Sequence, residues 1–330
     1  MDVLWLAASF AVILAGALLF TNAVEWAGNR LGLAEGATGS LLAAVGTAMP
    51  ETLIPIVAVI GGSAGSEDVA VGAIIGAPFL LATIAMALVG ISALLFVARR
   101  PQGTSLSADV ATLDRDLVFF LVFFAAAIVV GGGLPLAARI GLAIVFAAAY
   151  AVYVHRTLNA GGVVQEADAI GPLWMDRGRG AEPAGSTIAL QLVVGLGAIV
   201  GGAHLFVEEL LSVAEAVGVE PLVLSLVLAP LATELPEKAN SFLWVREGKD
   251  SLALGNITGA MVFQSTIPVA FGLLLTDWDL SRFAVISGCL GIAGGLIAYW
   301  ALRLRDRFEP LAIVLWVGLF IAYVAYVALT

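Results

Sequence analysis

The sequence contains almost no cysteine or histidine. Its 330 residues include one cysteine, Cys289, and two histidines, His155 and His204. A single cysteine excludes a disulfide within the chain and a metal cluster held by several thiolates. Two histidines are too few for a zinc or haem site built on imidazole ligands. We therefore predict no bound cofactor.

Charged residues are also scarce. They make up 12% of the chain, whereas 61% of the residues are hydrophobic and the mean hydropathy is +1.04. A soluble domain carries roughly 25% charged residues. Most of the exterior must therefore face lipid, which makes the bilayer the first expected partner. The 25 acidic and 15 basic residues give a net charge of −10, and we expect no nucleic-acid partner.

Ten apolar stretches are long enough to cross a membrane, which takes about 20 residues for roughly 30 Å of hydrocarbon. They cover residues 3–24, 38–62, 68–97, 116–132, 134–155, 187–214, 221–245, 251–276, 282–302 and 310–329. The charged residue before the first stretch, Asp2, is acidic, whereas a cleaved signal peptide has a basic start, so we predict a retained transmembrane helix. The predicted fold class is an all-α transmembrane protein of ten helices.

The longest polar stretch, residues 156–186, separates two halves of five predicted helices, residues 1–155 and 187–330. Twelve basic residues lie in loops that follow odd-numbered helices, and only Arg139 and Arg282 lie in loops on the other side. Cytoplasmic loops carry the excess of Lys and Arg, so we predict a cytoplasmic central loop and both termini outside, in the plasma (inner) membrane. Five helices per half would invert the second half, as in many secondary transporters.

The two halves share a motif, Thr-x-x-Pro-Glu. Residues 46–51 read GTAMPE and residues 232–237 read ATELPE. Downstream, the small-residue segment 69–77 can be aligned with 252–260. Small residues let helix backbones approach closely in a membrane. We therefore predict two inverted repeats whose second and seventh helices are broken at proline.

The motif places a glutamate and a proline inside an apolar helix. A carboxylate at the bilayer centre costs at least about 2.5 kcal/mol, so such residues usually serve a function. Proline frees a backbone carbonyl one turn earlier, here near Thr47 and Thr233, beside Glu51 and Glu237. Carboxylate and carbonyl oxygens suit hard cations such as Ca²⁺ and Na⁺. The alternative is that each proline only kinks its helix and each glutamate is satisfied by a buried hydroxyl.

At these residues the sequence resembles the cation/Ca²⁺ exchanger superfamily, which includes the sodium/calcium exchangers. The repeats of that family carry Gly-Thr-Ser-Leu-Pro-Glu, followed by a helix with Gly-Asn-x-x-Gly-Ser-Asn-x-x-Asn/Asp. The resemblance implies ten helices and an antiporter that exchanges Ca²⁺ or another divalent cation for H⁺ or Na⁺ by alternating access. It also implies that Glu51 and Glu237 share the cation and that the carbonyls of Thr47 and Thr233 are further ligands.

The sequence departs from the family pattern in the helices after each motif. In the first repeat every polar ligand is replaced by a small or apolar residue, and Leu81 stands where the family has its terminal Asn. In the second repeat Asn256 is kept and Gln264 stands at the terminal position, and the resemblance implies that both are candidate cation ligands. These departures remove polar groups that the flanking Na⁺ sites of sodium exchangers use. We therefore expect proton coupling, or at least a reduced dependence on Na⁺.

Two ionisable residues are added within the second motif, Glu234 and Lys238. Their i, i+4 spacing favours an ion pair on one helix face. Alternatively, Glu234 faces the cation cavity, where it is a further ligand of the cation or carries protons, because a neighbouring carboxylate raises its pKa. In a third interpretation Lys238 occupies the position where a coupling cation would bind.

Three other functions are alternatives to a Ca²⁺ antiporter. A polytopic membrane enzyme needs a histidine, a Ser/Lys dyad or an acidic metal cluster near one interface, and the unusual residues here lie at mid-depth instead. A passive channel would need no counter-ion, whereas inverted broken helices favour a carrier. A transporter of Mg²⁺ or Mn²⁺ would use the same oxygen ligands.

Overall fold

The computed structural model describes residues 2–31, 48–130, 132–159, 171–176 and 182–330, and within these ranges the chain is helical and forms no strand. One isolated backbone bridge joins Ser105 to Arg307. We number the helices α1 Asp2–Arg30, α2 Met49–Gly61, α3 Ser66–Leu95, α4 Val110–Val129, α5 Leu136–Asn159, α6 Gly185–Val217, α7 Pro221–Arg246, α8 Asp250–Gln264, α9 Ile267–Leu275, α10 Arg282–Leu304 and α11 Pro310–Leu329.

Seven spans of the described residues are long and apolar enough to cross a membrane: α1, α3, α5, α6, the α8–α9 unit, α10 and α11. This confirms the prediction of an all-helical transmembrane chain. Helices α2, α4 and α7 lie in the three other predicted spans. Helix α5 extends to Asn159 and α6 begins at Gly185, so helices reach a few residues into the region predicted as the central loop.

Helix α3 is the centre of the bundle. In its most apolar stretch 83% of the residues are buried, against 11% in α5 and 22% in α11. Gly72 and Gly76 lie directly against the backbone of α7, at Leu222 and Leu226. The hydroxyl of Ser225 on α7 also donates to the Val69 carbonyl on α3, at 2.7 Å. The small residues of the first repeat therefore serve a tight contact between helices from the two halves.

Helices α1 and α6 make a second close contact. Gly16 on α1 lies against the Gly195 carbonyl of α6, and Gly195 in turn lies against the backbone of Phe20. Gly202, two turns further along α6, lies against Ile13. Glycines on facing helices thus bring the first helix of each half together, as expected for helix association in lipid.

We expect Gly76→Ala to destabilise the protein, because an added methyl group would overlap the Leu226 carbonyl. The obstructing atoms belong to the α7 backbone, which cannot move aside as a flexible side chain could. Overpacking of this kind costs about 1–3 kcal/mol. The thermal unfolding midpoint of purified protein in detergent measures the effect. Gly201→Ala is the matched control, since Gly201 lies inside α6 with no described atom within 4 Å of an added Cβ. Equal midpoints for the two variants would contradict the close contact.

The predicted break of the seventh helix at Pro236 is not found. Helix α7 runs without interruption from Pro221 to Arg246, across both Pro230 and Pro236. A membrane helix tolerates proline because neighbouring residues and helices can satisfy the freed backbone groups. For the second helix the comparison is incomplete, since Pro50 lies in the first turn of α2 and residues 32–47 lie outside the described part.

In the second half a helix is interrupted in the eighth predicted span, 251–276, and not in the seventh. Helix α8 ends at Gln264, and α9 starts at Ile267 after Ser265 and Thr266, two buried residues. Thr266 has φ −128° and ψ −69°, outside the helical region. Pro268 has no N–H to donate to the Gln264 carbonyl. In the first half, α3 contains a turn of π-helix at Leu81–Ala85.

Candidate cation site on helices α2, α7 and α8

The second motif places three buried polar side chains within helix α7. Thr233, Glu234 and Lys238 are 6%, 2% and 1% exposed. The Thr233 hydroxyl donates to the Ala229 carbonyl at 3.1 Å, inside its own helix. The two charged side chains cannot be satisfied in that way, because neither can be buried without a partner of opposite charge.

Each carboxylate oxygen of Glu234 has a polar neighbour, and among the described residues Oε1 alone is hydrogen-bonded. Oε2 lies 3.2 Å from Lys238 Nζ, one turn further along α7. Oε1 accepts a hydrogen bond from Gln264 Nε2, at the end of α8. The structure therefore contains the ion pair that the i, i+4 spacing predicts, and it adds an amide from a neighbouring helix. Gln264 Oε1 has no hydrogen-bond partner among the described residues.

Asn256 contacts α7 at a different level. Its Nδ2 donates to the Ser241 hydroxyl at 3.0 Å. Asn256 and Gln264 are eight residues apart on α8, and at 1.5 Å per residue this is roughly 12 Å along the helix axis. Asn256 therefore aligns α8 with α7, while Gln264 contacts Glu234.

Glu51 lies in the first turn of α2 and is 7% exposed. The N-terminal end of a helix carries a partial positive charge, which favours a carboxylate at this position. Helix α2 contacts α3, α6, α7 and α9, so Glu51 belongs to the interior of the bundle. Thr47 and the side chain of Glu237 lie outside the described part of the structure. The meeting of Glu51 and Glu237 thus stays a prediction.

The described residues contain no group of three or more His, Cys, Asp or Glu side chains that could hold one metal ion. The predicted site has a different composition, two carboxylates completed by carbonyl and amide oxygens. Hard cations accept such mixed oxygen ligands.

One polar cluster was not predicted from the sequence. Asp116 on α4 is buried and accepts hydrogen bonds from Tyr153 on α5 and Thr258 on α8, both at 2.8 Å. Arg115 is its ion-pair partner at 3.1 Å. The available signal was an acidic residue at the start of the fourth predicted span. Its hydrogen-bond donors on the other helices could not be found because they are 37 and 142 residues away.

A second unpredicted cluster closes the end of α8. Arg100 and Asp250 form a bidentate pair, at 2.6 and 2.8 Å, with both side chains fully buried. Arg100 also donates to the carbonyl of Val245, and the backbone N–H of Ser107 donates to Asp250. The segment after α3 is thereby attached to the turn between α7 and α8.

The sequence matches the sequence model of the family described as sodium/calcium exchanger protein over residues 1–158 and 187–329. CaxA of Alkalimonas amylolytica, named as an antiporter, is 32% identical over 84 residues, 26% of each chain. The sodium/calcium exchanger MaX1 of Methanosarcina acetivorans is 39% identical over 71 residues, 22% of this chain and 20% of its own length. The alignments thus span about a quarter or less of these two curated relatives.

The fold is similar to that of solved exchanger structures. An H⁺/Ca²⁺ exchanger, CAX, superposes with a TM-score of 0.72 at 19% identity, covering 98% of this chain and 81% of that chain. The sodium-calcium exchanger NCX_Mj superposes with a TM-score of 0.58 at 19% identity, covering 98% of both chains. At this identity the superpositions establish the fold.

Proposed function

Because the chain belongs to the sodium/calcium exchanger protein family, an antiporter family of the membrane, we propose that it exchanges Ca²⁺ or another divalent cation for H⁺ or Na⁺ by alternating access. The observation that carries the proposal is the burial of Glu51 in the first turn of α2, inside a bundle whose exterior is apolar. Carboxylates within membrane spans are rare, face the interior of the bundle and mark cation or proton pathways.

The proposed architecture is a pair of inverted five-helix repeats, residues 1–155 and 187–330, joined by a cytoplasmic loop at 156–186. One pair of helical irregularities supports it, whereas the π-helical turn Tyr299–Leu304 in α10 has no counterpart in α4. Aligning 69–77 with 252–260 is an offset of 183 residues, and the same offset carries Leu81–Ala85, the π-helical turn of α3, onto residues 264–268, where α8 gives way to α9. Equivalent irregularities at equivalent positions are expected of a duplicated unit that binds at its centre.

In the proposed site Glu51 and Glu237 share the divalent cation near the bilayer midplane, and the carbonyls of Thr47 and Thr233 complete its oxygen ligands. Gln264 donates a hydrogen bond to Glu234, and no described residue donates to its own side-chain oxygen. In the proposed site this oxygen lies beside the other cation ligands. Alternating access then moves the two repeats about the site so that it opens to one side at a time.

Proton coupling is the version of the mechanism that the first repeat supports. Leu81, at the position of the family's terminal Asn, is completely buried among apolar side chains of the core. The Leu81 side chain has no oxygen to replace the hydration shell of a Na⁺ ion. The proposed orientation has both termini outside the plasma (inner) membrane. It rests on the excess of basic residues in the loops that follow the odd-numbered members of the ten predicted spans.

Ca²⁺ uptake into liposomes that contain the purified protein tests the proposal. Uptake should follow an imposed pH gradient, with a smaller response or none to an imposed Na⁺ gradient, and it should cease when the gradient is removed. Mn²⁺ and Mg²⁺ are tested as competitors to identify the preferred divalent cation. Ca²⁺ flux that persists without any counter-ion would indicate a channel, and absence of any divalent flux would overturn the proposal.

A further inference from the structure

Within the proposed function, we propose that Lys238 is a resident cation of the transport site. Its ammonium pairs with Glu234 and permanently compensates one of the three carboxylate charges of the site, so that a net charge of two remains for the transported ion. In this role Lys238 determines specificity, because it excludes a monovalent cation that would otherwise have to accompany each divalent ion.

The contacts of Glu234 are the first argument. Its Oε2 lies 3.2 Å from the ammonium of Lys238, in an ion pair without a hydrogen bond, and its Oε1 accepts a hydrogen bond from Gln264, so the protein's own polar groups contact both oxygens. A transported cation could use Glu234 only by displacing one of them. The exposed fractions of the two charged side chains are 1–3%, so water does not supply an alternative partner.

The energy of isolated charges is the second argument. A buried ion pair loses several kcal/mol when one partner is removed, because the other charge remains without compensation. In a membrane interior that penalty is greater than near a water-exposed surface. Glu234 without Lys238 would consequently attract another cation, and its buried position beside Gln264 offers oxygen ligands to one.

The position of the pair on one helix is the third argument. Glu234 and Lys238 lie one turn apart on the uninterrupted helix α7, with the acid on the N-terminal side, the favourable order. A rigid-body movement of α7 would carry both residues together. The compensation therefore persists in every state of the transport cycle, whereas the bond from Gln264 crosses to α8 and can change between states.

The charge count follows from these arguments. The second-motif region and Glu51 contribute three carboxylates, Glu51, Glu234 and Glu237, and one ammonium, Lys238. Two negative charges remain for the mobile ions, which one divalent cation neutralises. Without the ammonium, three negative charges would require a divalent and a monovalent cation together.

The test compares Lys238→Met, Glu234→Gln and the double variant with the wild-type protein in liposomes under one and the same imposed pH gradient. Ca²⁺ uptake driven by the same gradient is measured with NaCl, KCl or N-methylglucamine chloride equal on both sides. Wild-type uptake should not depend on the monovalent cation. Lys238→Met should be activated about tenfold by Na⁺ or K⁺ over N-methylglucamine, the size of a typical coupling between two ligands. The double variant should lose that dependence and recover uptake.

The singles and the double separate a charge role from a structural one. Glu234→Gln should weaken Ca²⁺ uptake, since it leaves the Lys238 ammonium uncompensated, and adding Lys238→Met should restore it. If Lys238→Met does not yield monodisperse protein, this restoration is the deciding measurement. The inference alone would be overturned if the wild-type protein transports Ca²⁺ and a folded Lys238→Met variant takes up Ca²⁺ at a rate that Na⁺ and K⁺ do not change. A wild-type protein that moves no divalent cation would overturn the proposed function and the inference with it.

Discussion

Glu51→Gln should abolish divalent cation transport while leaving the protein folded and inserted. The substitution keeps the shape of the side chain and removes one of the two charges proposed to bind the cation. A carboxylate and a divalent cation in direct contact attract each other by several kcal/mol even at an effective dielectric constant of about 20. Since each 1.4 kcal/mol is about tenfold in affinity, we expect uptake to fall by about 100-fold or more.

The measurement is Ca²⁺ uptake by the variant in liposomes under the gradient that drives the wild-type protein. Glu67→Gln is the matched control, because Glu67 is an exposed glutamate in the first turn of α3, the next helix, and should retain uptake. Glu237→Gln should match Glu51→Gln, as two ligands of one ion require. Full uptake in either variant, at normal protein yield, would exclude the proposed two-carboxylate site.

Arg100→Leu should cause the largest loss of stability among single substitutions considered for this protein. Arg100 and Asp250 are both completely buried, and the guanidinium also donates to the carbonyls of Gly103 and Val245. Removing the guanidinium leaves a buried carboxylate without its ion-pair partner, which costs about 3–5 kcal/mol. The thermal unfolding midpoint in detergent should fall accordingly, and the yield of monodisperse protein with it.

The double variant Arg100→Leu/Asp250→Leu distinguishes a lost charge partner from lost packing. It should recover part of the stability, because it leaves no uncompensated buried charge. Glu247→Gln is the matched control at the same turn, since the Glu247–Lys249 pair is exposed and such pairs contribute little. A midpoint for Arg100→Leu equal to that of the control would mean that the buried pair does not hold the α3 and α8 ends together.

The polar residues of the site were predictable to different degrees. The Glu234–Lys238 pair follows from i, i+4 spacing on a helix, because that geometry is local. The contact between Gln264 and Glu234 joins two helices, and the two residues are 30 positions apart in the sequence. Only the resemblance to the cation/Ca²⁺ exchanger superfamily predicted that both lie near one site. The clusters at Asp116 and at Arg100 were missed entirely, since their partners are up to 142 and 150 residues away.

Proline was the least reliable signal. The sequence places Pro236 in the seventh predicted helix and Pro268 in the eighth, and nothing local distinguishes their effects. The structure leaves α7 intact and interrupts the eighth span before Pro268. Whether proline breaks a helix depends on what neighbouring helices offer to the freed carbonyl, and this is a property of packing.

The sequence by itself determined that the chain is helical and membrane-embedded and that a few polar residues lie within apolar helices. These properties depend on hydropathy and on spacing along one helix, which are local. Only the tertiary structure decided that Gly72 and Gly76 pack against α7, that Gln264 binds Glu234, and that Arg100 binds Asp250. Such contacts arise where helices distant in sequence cross, because steric fit and the cost of burying an unpaired polar group act between helices as well as within them.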